Sequence, residues 1–228
     1  MDGGNARQQH GLDFEAWLKD TFFASCNKSG NTDKWDFTGV TYKGEYSLYT
    51  SKFGGLPISV KTCKFGTPIG FGDALRQMEN EEDFLLIICF WKSAGEFKKC
   101  VSVEAVMVSS HLWKRMFVEK MMDEIDEEGD VYESDDEEFT LMTSKIRKLD
   151  SVIKDRSIGY QETRTEAQKL KRQLHPTTIT LNPKIDSKGQ RRLQCSLPFQ
   201  VFFKFIAGKF PFSGEGVKLW GEEVPNFK

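Results

Sequence analysis

Histidine is scarce: the 228 residues hold only His10, His111 and His175, scattered and without a nucleophile beside them. Histidine-based nucleophilic catalysis is therefore not expected. The five cysteines (Cys26, Cys63, Cys89, Cys100, Cys195) are odd in number and never spaced CxxC. Zinc ribbons and disulfide frameworks are thereby disfavoured, and a reducing cytoplasm fits. No apolar run approaches the length of a bilayer span, so no membrane partner is expected. The opening Met1-Asp2-Gly3-Gly4 lacks a basic start followed by an apolar segment, so a signal peptide is not expected. No internal repeat is present.

What remains is a chain able to bury a sizeable core, with 39 % apolar and 13 % aromatic residues. Its net charge of −2 hides segregation. Asp123–Glu138 holds eleven acids and no base, whereas Lys145–Arg192 holds thirteen Lys or Arg against five Asp or Glu, a net of +8. The acidic run lacks the fixed geometry of a metal cage and reads as a solvated loop or seam. It divides residues 1–122 from residues 139–228, within one compact domain. The basic stretch is either a solvated helix pair or a phosphate-facing surface.

Along the chain, Leu12, Phe14, Trp17, Leu18, Phe22 and Phe23 mark a helix over residues 11–26. Asn27–Asp33 is a polar loop, and strands are expected at about 35–42, 46–51 and 57–63, with Gly54-Gly55 turning into the third. Asp73 caps a short helix beginning at Ala74, and Arg76 and Gln77 are expected to face a phosphate. Phe84–Trp91 is continuously apolar, as in a strand buried on both faces. A strand at about 99–103 and a helix at about 104–122 follow. Leu141, Ile146, Leu149 and Ile153 give helical spacing, and Phe199–Ile206 reads as another core strand.

The chemistry concentrates between Lys34 and Lys64. Asp36 follows an aromatic at the start of one strand, and Lys61 lies in the β-branched run Ile58-Ser59-Val60-Lys61-Thr62. Side by side, a carboxylate can hold Mg²⁺ and an ammonium can orient an attacking water. The competing account is a solvated edge lysine beside an unrelated aspartate. Asp36…Ser59-Val60-Lys61, together with the order helix, three strands, short helix and buried strand, resembles the PD-(D/E)xK nucleases. The variant it resembles occurs among type II restriction endonucleases and replaces the middle acid, here by Ser59. Gly11-Leu12-Asp13-Phe14-Glu15 resembles the helix that supplies an extra acid in that superfamily; Glu15 is otherwise a solvated glutamate on an amphipathic helix.

The resemblance implies an α/β fold with a mixed central sheet flanked by helices, and Mg²⁺ as cofactor, with Mn²⁺ able to substitute. Asp36, Glu15 and the Val60 carbonyl would hold the metal, with Lys61 and Ser59 at the catalytic centre and Lys34 and Lys64 beside the DNA. It also implies a homodimer on a palindromic double-stranded DNA site, and a cognate DNA methyltransferase in the same bacterial or archaeal cytoplasm. The ββα-metal nucleases, which need a histidine within their motif, are disfavoured.

Two further strands flank a turn containing Lys184, Asp186, Ser187, Lys188, Gln190, Arg191 and Arg192. These residue types read base edges in the major groove, which admits a two-stranded ribbon; the alternative is an ordinary polar hairpin. The expected function is site-specific double-strand DNA cleavage. The rivals are a structure-reading or repair nuclease on the same core, and a DNA-binding protein whose site has decayed, as Ser59 would allow.

Overall fold

A computed structural model describes residues 6–28, 34–121, 136–186 and 189–227. The elements are α1 (Ala6–Phe22), β1 (Phe23–Lys28), β2 (Phe37–Tyr42), α2 (Ser47–Thr50), β3 (Ile58–Lys64), β4 (Ile69–Asp73), α3 (Ala74–Met78), β5 (Phe84–Ala94) and β6 (Phe97–Val108). There follow α4 (Ser110–Val118), α5 (Asp136–Lys154), α6 (Tyr160–Arg172), β7 (Thr180–Ile185), β8 (Arg191–Leu197) and α7 (Phe199–Val201), which continues as a π-helix over Phe202–Ile206. The short strands β9 (Lys218–Leu219) and β10 (Glu222–Glu223) close the chain. Among the described residues, no helix is long and apolar enough to cross a membrane.

The chain groups into two compact units, each discontinuous in sequence. The first comprises Met1–Ile69, Glu82–Ser109 and Phe199–Lys228; the second comprises Gly70–Glu81 and Ser110–Pro198. A boundary drawn at the acidic stretch describes neither, and that stretch lies outside the described residues up to residue 135.

The first unit is α/β, with a mixed five-stranded sheet in the order β1-β2-β3-β5-β6. Only β3 and β5 run parallel, in continuous register from Ile58↔Leu85 to Lys64↔Trp91. Phe84 to Phe90 are all buried, as a strand covered on both faces requires. On one face Phe14, Leu18 and Phe22 of α1 pack over Val60, Leu85, Ile87 and Cys89. On the other, Phe90 meets Phe199, Phe202 and Phe203, with ring centroids 5.3, 5.8 and 5.4 Å away. Each fully buried phenylalanine contributes roughly 1.5–3 kcal/mol through the apolar surface it removes from water.

Several local expectations are corrected here. The α1 helix ends at Phe22, and the next six residues form β1 because β2 offers them an antiparallel partner. Residues 44–53 are helical rather than a strand. Tyr46, Thr50 and Phe53 stand at i, i+4 and i+7 and turn toward the core, leaving Leu48 91 % exposed. The expected helix at about 104–122 forms as α4, Ser110–Val118, whereas residues 104–108 are the end of β6, held in register by Phe84↔Val108. Phe199–Ile206 is helical, with Phe199, Phe202 and Phe203 at the i, i+3, i+4 spacing of one buried face.

The second unit carries α3–α6 and a three-stranded sheet in the order β4-β8-β7. Asp73 caps α3 as expected, its Oδ1 accepting Arg76 N–H at 3.0 Å. In α5 the buried stripe is Met142, Ile146, Leu149 and Ile153, with Leu141 turned outward at 55 % exposed. The β7–β8 hairpin forms as expected, paired from Thr180↔Ser196 to Ile185↔Arg191.

Candidate functional site

β3 has two neighbours for only part of its length. β2 pairs with it at the single position Phe37↔Ile58, after which the two strands diverge. The last backbone bond there is Asp36 N–H to Ile58 O, at 2.9 Å. Divergence would leave the Val60 N–H without a ladder partner, a costly state for a residue only 5 % exposed. The Asp36 carboxylate supplies the partner, its Oδ2 accepting Val60 N–H at 2.6 Å. One residue on, Lys61 Nζ donates to the same Oδ2 at 3.2 Å and to Val60 O at 2.7 Å.

Four groups thus converge where two strands part: a carboxylate, an ammonium, a peptide N–H and a peptide carbonyl. Lys61 and Asp36 keep 22 % and 29 % of their side-chain surface exposed, so the pair is open to a solute. An ammonium has three N–H donors; two are used here, and the third is available to an oxygen arriving from solvent. Asp36 Oδ1 accepts no hydrogen bond from the described residues.

The surroundings of the pair follow from strand alternation. Ser59 and Cys63 share a face with Lys61. Ser59 is 3 % exposed, so the place of the middle acid is a buried hydroxyl. Cys63 Sγ sits 3.4 Å from Thr67 O, and burial pushes its thiol above the ordinary value. Thr62 faces α1: a β-carbon placed on Gly11 would lie 3.7 Å from Thr62 Oγ1. Glu15, one helical turn beyond Gly11, therefore lies on the side of α1 turned to β3, half-buried, across the sheet from the face that Lys61 leaves. Among the described residues, no group of three or more His, Cys, Asp or Glu is arranged to hold a metal.

The other predicted residues fare differently. Lys34 stands 5.2 Å from the Trp35 ring centroid, and Lys64 is exposed at the end of β3. In the second unit Gln77 is 5 % exposed and its backbone carbonyl accepts Trp113 Nε1 at 2.9 Å, contrary to a phosphate-facing role. Arg76 lies half-buried in α3.

The hairpin residues divide by what they already bind. Arg191 is committed internally, its guanidinium donating to Asp155 O, to Ile158 O at 2.8 Å and to Thr163 Oγ1 at 3.1 Å. It latches β8 to the α5–α6 connection and is not offered to a base edge. Asp186 closes the turn, its Oδ1 accepting Gln190 N–H at 2.9 Å. Ser187 and Lys188 lie outside the described residues. Lys184 and Arg192 are directly opposite across the strands, both exposed. Like charges so placed destabilise a hairpin, and an anion between them would relieve the repulsion. Gln190 is exposed beside them, its Oε1 3.5 Å from Arg192 Nη2.

The basic surplus is partly internal too: Arg147 pairs with Glu79 at 2.8 Å, and Lys154 with Asp150 at 2.7 Å. Sequence reasoning did not find the buried Glu104 of β6, 6 % exposed, whose Oε2 lies 2.6 Å from Lys209 Nζ. Its alternation with Ser102 and Val106 was the available signal.

Set against known proteins, the chain matches no family profile, no curated protein and no solved structure.

Proposed function

We propose that this chain is a Mg²⁺-dependent DNA endonuclease of the type II restriction class. The observation that carries the proposal is the Asp36 carboxylate bonded at once to Val60 N–H and Lys61 Nζ where β2 and β3 diverge. The order α1-β1-β2-β3, then α3 and β5 parallel to β3, supports the nuclease resemblance.

The donor set suits a hard cation. Asp36 Oδ1 and the Val60 carbonyl would be its oxygen ligands, and Mg²⁺ retains several waters, so few protein ligands suffice. By the resemblance Glu15 would be the further carboxylate; it lies on the α1 side of the sheet, across from the face that Lys61 leaves. When bound, the ion would polarise the phosphate and acidify a coordinated water. The chain's own part is positional and electrostatic. Asp36 and Val60 O fix the Lys61 ammonium, which keeps a third N–H for the attacking water or a phosphate oxygen. A protonated lysine donates and cannot act as a base, so its role is to stabilise the negative charge that develops as the phosphodiester opens.

Exposed Lys184, Gln190 and Arg192 are the groups offered to DNA, and cleavage of both strands of a palindrome calls for a homodimer. Such an enzyme works in a bacterial or archaeal cytoplasm beside a methyltransferase that protects host DNA. The test is incubation with large unmethylated DNA and Mg²⁺, with an EDTA control. Discrete bands that disappear with EDTA are expected. A smear would favour a structure-reading or non-specific nuclease.

The buried serine at position 59, and the absence of a three-acid cluster among the described residues, favour a second reading. In it the site has lost catalysis and the chain only binds DNA. Intact DNA that shifts at low salt in the same experiment would establish it.

A further inference from the structure

Phe210 and Phe212 are the most conspicuous apolar groups in the first unit that the proposed chemistry leaves unused, 93 % and 75 % exposed. They flank Pro211, which confines Phe210 to extended backbone. The loop that carries them is fastened on both sides. Before it, Lys209 Nζ meets the buried Glu104 carboxylate at 2.6 Å. After it, Ser213 Oγ accepts Lys92 Nζ at 3.0 Å, Gly214 N–H donates to Val101 O at 2.9 Å, and Glu215 pairs with Lys99 at 2.7 Å. The Phe212 ring rests on the Gly214 backbone: a β-carbon at Gly214 would lie 2.8 Å from Phe212 Cε1.

The position of this loop follows from sheet register. Lys61 and Glu104 are both paired with Ile88, one from each side. They therefore leave the same face, two strand spacings or about 10 Å apart. The salt bridge that anchors the loop thus starts from the face and the row of the sheet that carry Lys61. From Pro198 to Gly214 the chain has two lysines and no acid; Lys209 is paired with Glu104, and Glu215, next in the chain, is paired with Lys99. The ammonium of Lys92 is held by a hydroxyl and by the Phe65 ring, 4.9 Å from its centroid, so its charge is not neutralised. Exposed rings beside an ammonium that no carboxylate neutralises suit nucleobases, because every base has a stackable face and the phosphates between bases are anionic. A second copy packed ring against ring would instead bring the un-neutralised Lys92 ammonium toward its own counterpart.

We infer that Phe210 and Phe212 form an aromatic wedge that stacks on or between the bases of the nucleic acid held at the Asp36–Lys61 site. The inference rests on the nuclease or DNA-binding reading and adds to it a second contact, apart from the hairpin. Side chains of this type unstack base steps and bend the duplex.

The test uses the full chain in EDTA at low salt, with a fluorescein-labelled duplex of arbitrary sequence read by anisotropy. A second duplex carries 2-aminopurine, whose fluorescence rises on unstacking. Wild type should bind and raise the 2-aminopurine signal. The Phe210→Ala/Phe212→Ala double variant should bind at least about tenfold more weakly and lose the rise. Gly214→Ala, which displaces one ring, should fall between. Leu48→Ala, removing another exposed apolar side chain, should change neither readout.

If the double variant binds and unstacks as wild type does, the wedge is refuted while the parent reading survives. If wild type binds no duplex, both fail together. If the double variant turns a sedimenting dimer into monomer and forced dimerisation restores its affinity, the rings belong to a subunit interface and the wedge is refuted.

Discussion

Asp36 and Lys61 meet through one oxygen: Asp36 Oδ2 lies 3.2 Å from Lys61 Nζ while also accepting Val60 N–H at 2.6 Å. The carboxylate therefore serves the fold and the site at once. As a fold element it replaces a missing ladder bond; as a site element it fixes an ammonium beside a free carboxylate oxygen. These roles are separable by substitution.

Lys61→Ala should lower Mg²⁺-dependent cleavage by about 10²–10³-fold or more, the effect of removing one preorganised charge-stabilising donor. Duplex affinity in EDTA should be nearly unchanged. Asp36→Asn keeps an oxygen for Val60 N–H and should lose cleavage with little change in melting temperature. Asp36→Ala also leaves that buried N–H unpaired and should cost about 1–3 kcal/mol. Single-turnover cleavage and urea melts on the same preparations distinguish these outcomes; a fully active Lys61→Ala would remove the site assignment.

The two arginines of the β8 strand should behave oppositely. Arg191→Ala removes the latch onto Asp155, Ile158 and Thr163 and should destabilise the protein by about 1.5–3 kcal/mol, as expected for lost charge-assisted bonds. Arg192→Ala removes a cation facing Lys184 and should leave stability within about 0.5 kcal/mol. It should instead weaken DNA binding and reduce the slope of log affinity against log salt by about 1. An Arg191 variant with wild-type stability would show that the latch is dispensable.

The legible parts of the fold were those where one strong local pattern met no competitor. Phe84–Trp91 reads as a doubly buried strand from its apolar run alone, and all of it but Trp91 is buried; Asp73 reads as a cap from the helix that follows it. The Asp36–Lys61 contact was legible because the aspartate stands just before one strand and the lysine lies inside the β-branched run of the next. The failures share one cause. Phe199–Ile206 and residues 44–53 are rich in aromatic and β-branched residues, which favour strands, but tertiary contacts select their i, i+3, i+4 positions. β1, with Ser25, Asn27 and Lys28, has weak strand propensity and forms because β2 recruits it. The commitment of Arg191 was invisible for a similar reason: its acceptors are mainly backbone carbonyls, which leave no mark in the sequence.

Two buried thiols give the protein an alkaline liability. Burial holds the Cys63 thiol above its ordinary value, and the Cys100 hydrogen bond together with burial holds Cys89 well above it. Both stay protonated in the folded state, whereas an unfolded thiol ionises near about pH 8.5. Above that pH the unfolded chain binds fewer protons than the folded one, so stability falls as pH rises. The contribution is intact below about pH 8.5 and is lost as the pH climbs toward the raised native values. Urea midpoints taken from about pH 7 to about pH 10 should decline in wild type and decline less steeply in Cys63→Ala and Cys89→Ala, after allowing for their lower starting stability. A flat wild-type profile would contradict the assignment.

Tyr42 shows the reverse of the Asp36 arrangement. Its hydroxyl is buried without a hydrogen-bond partner among the described residues, and burial raises its pKa far above that of a free phenol. The ring is nonetheless well placed, edge-on to Phe23 at 5.6 Å and to Trp220 at 5.7 Å. Its aromatic surface therefore stabilises the first unit while its oxygen carries an uncompensated desolvation cost. Tyr42→Phe keeps the ring and removes the oxygen, so it should be neutral or should stabilise by up to about 1–3 kcal/mol. Tyr42→Ala removes both and should destabilise by about 3–5 kcal/mol, as for other large buried aromatics. Thermal and urea melts of the pair decide it: a Tyr42→Phe variant less stable than wild type would mean that the hydroxyl has a partner in solution, and a bound water at that oxygen would be the first group to look for.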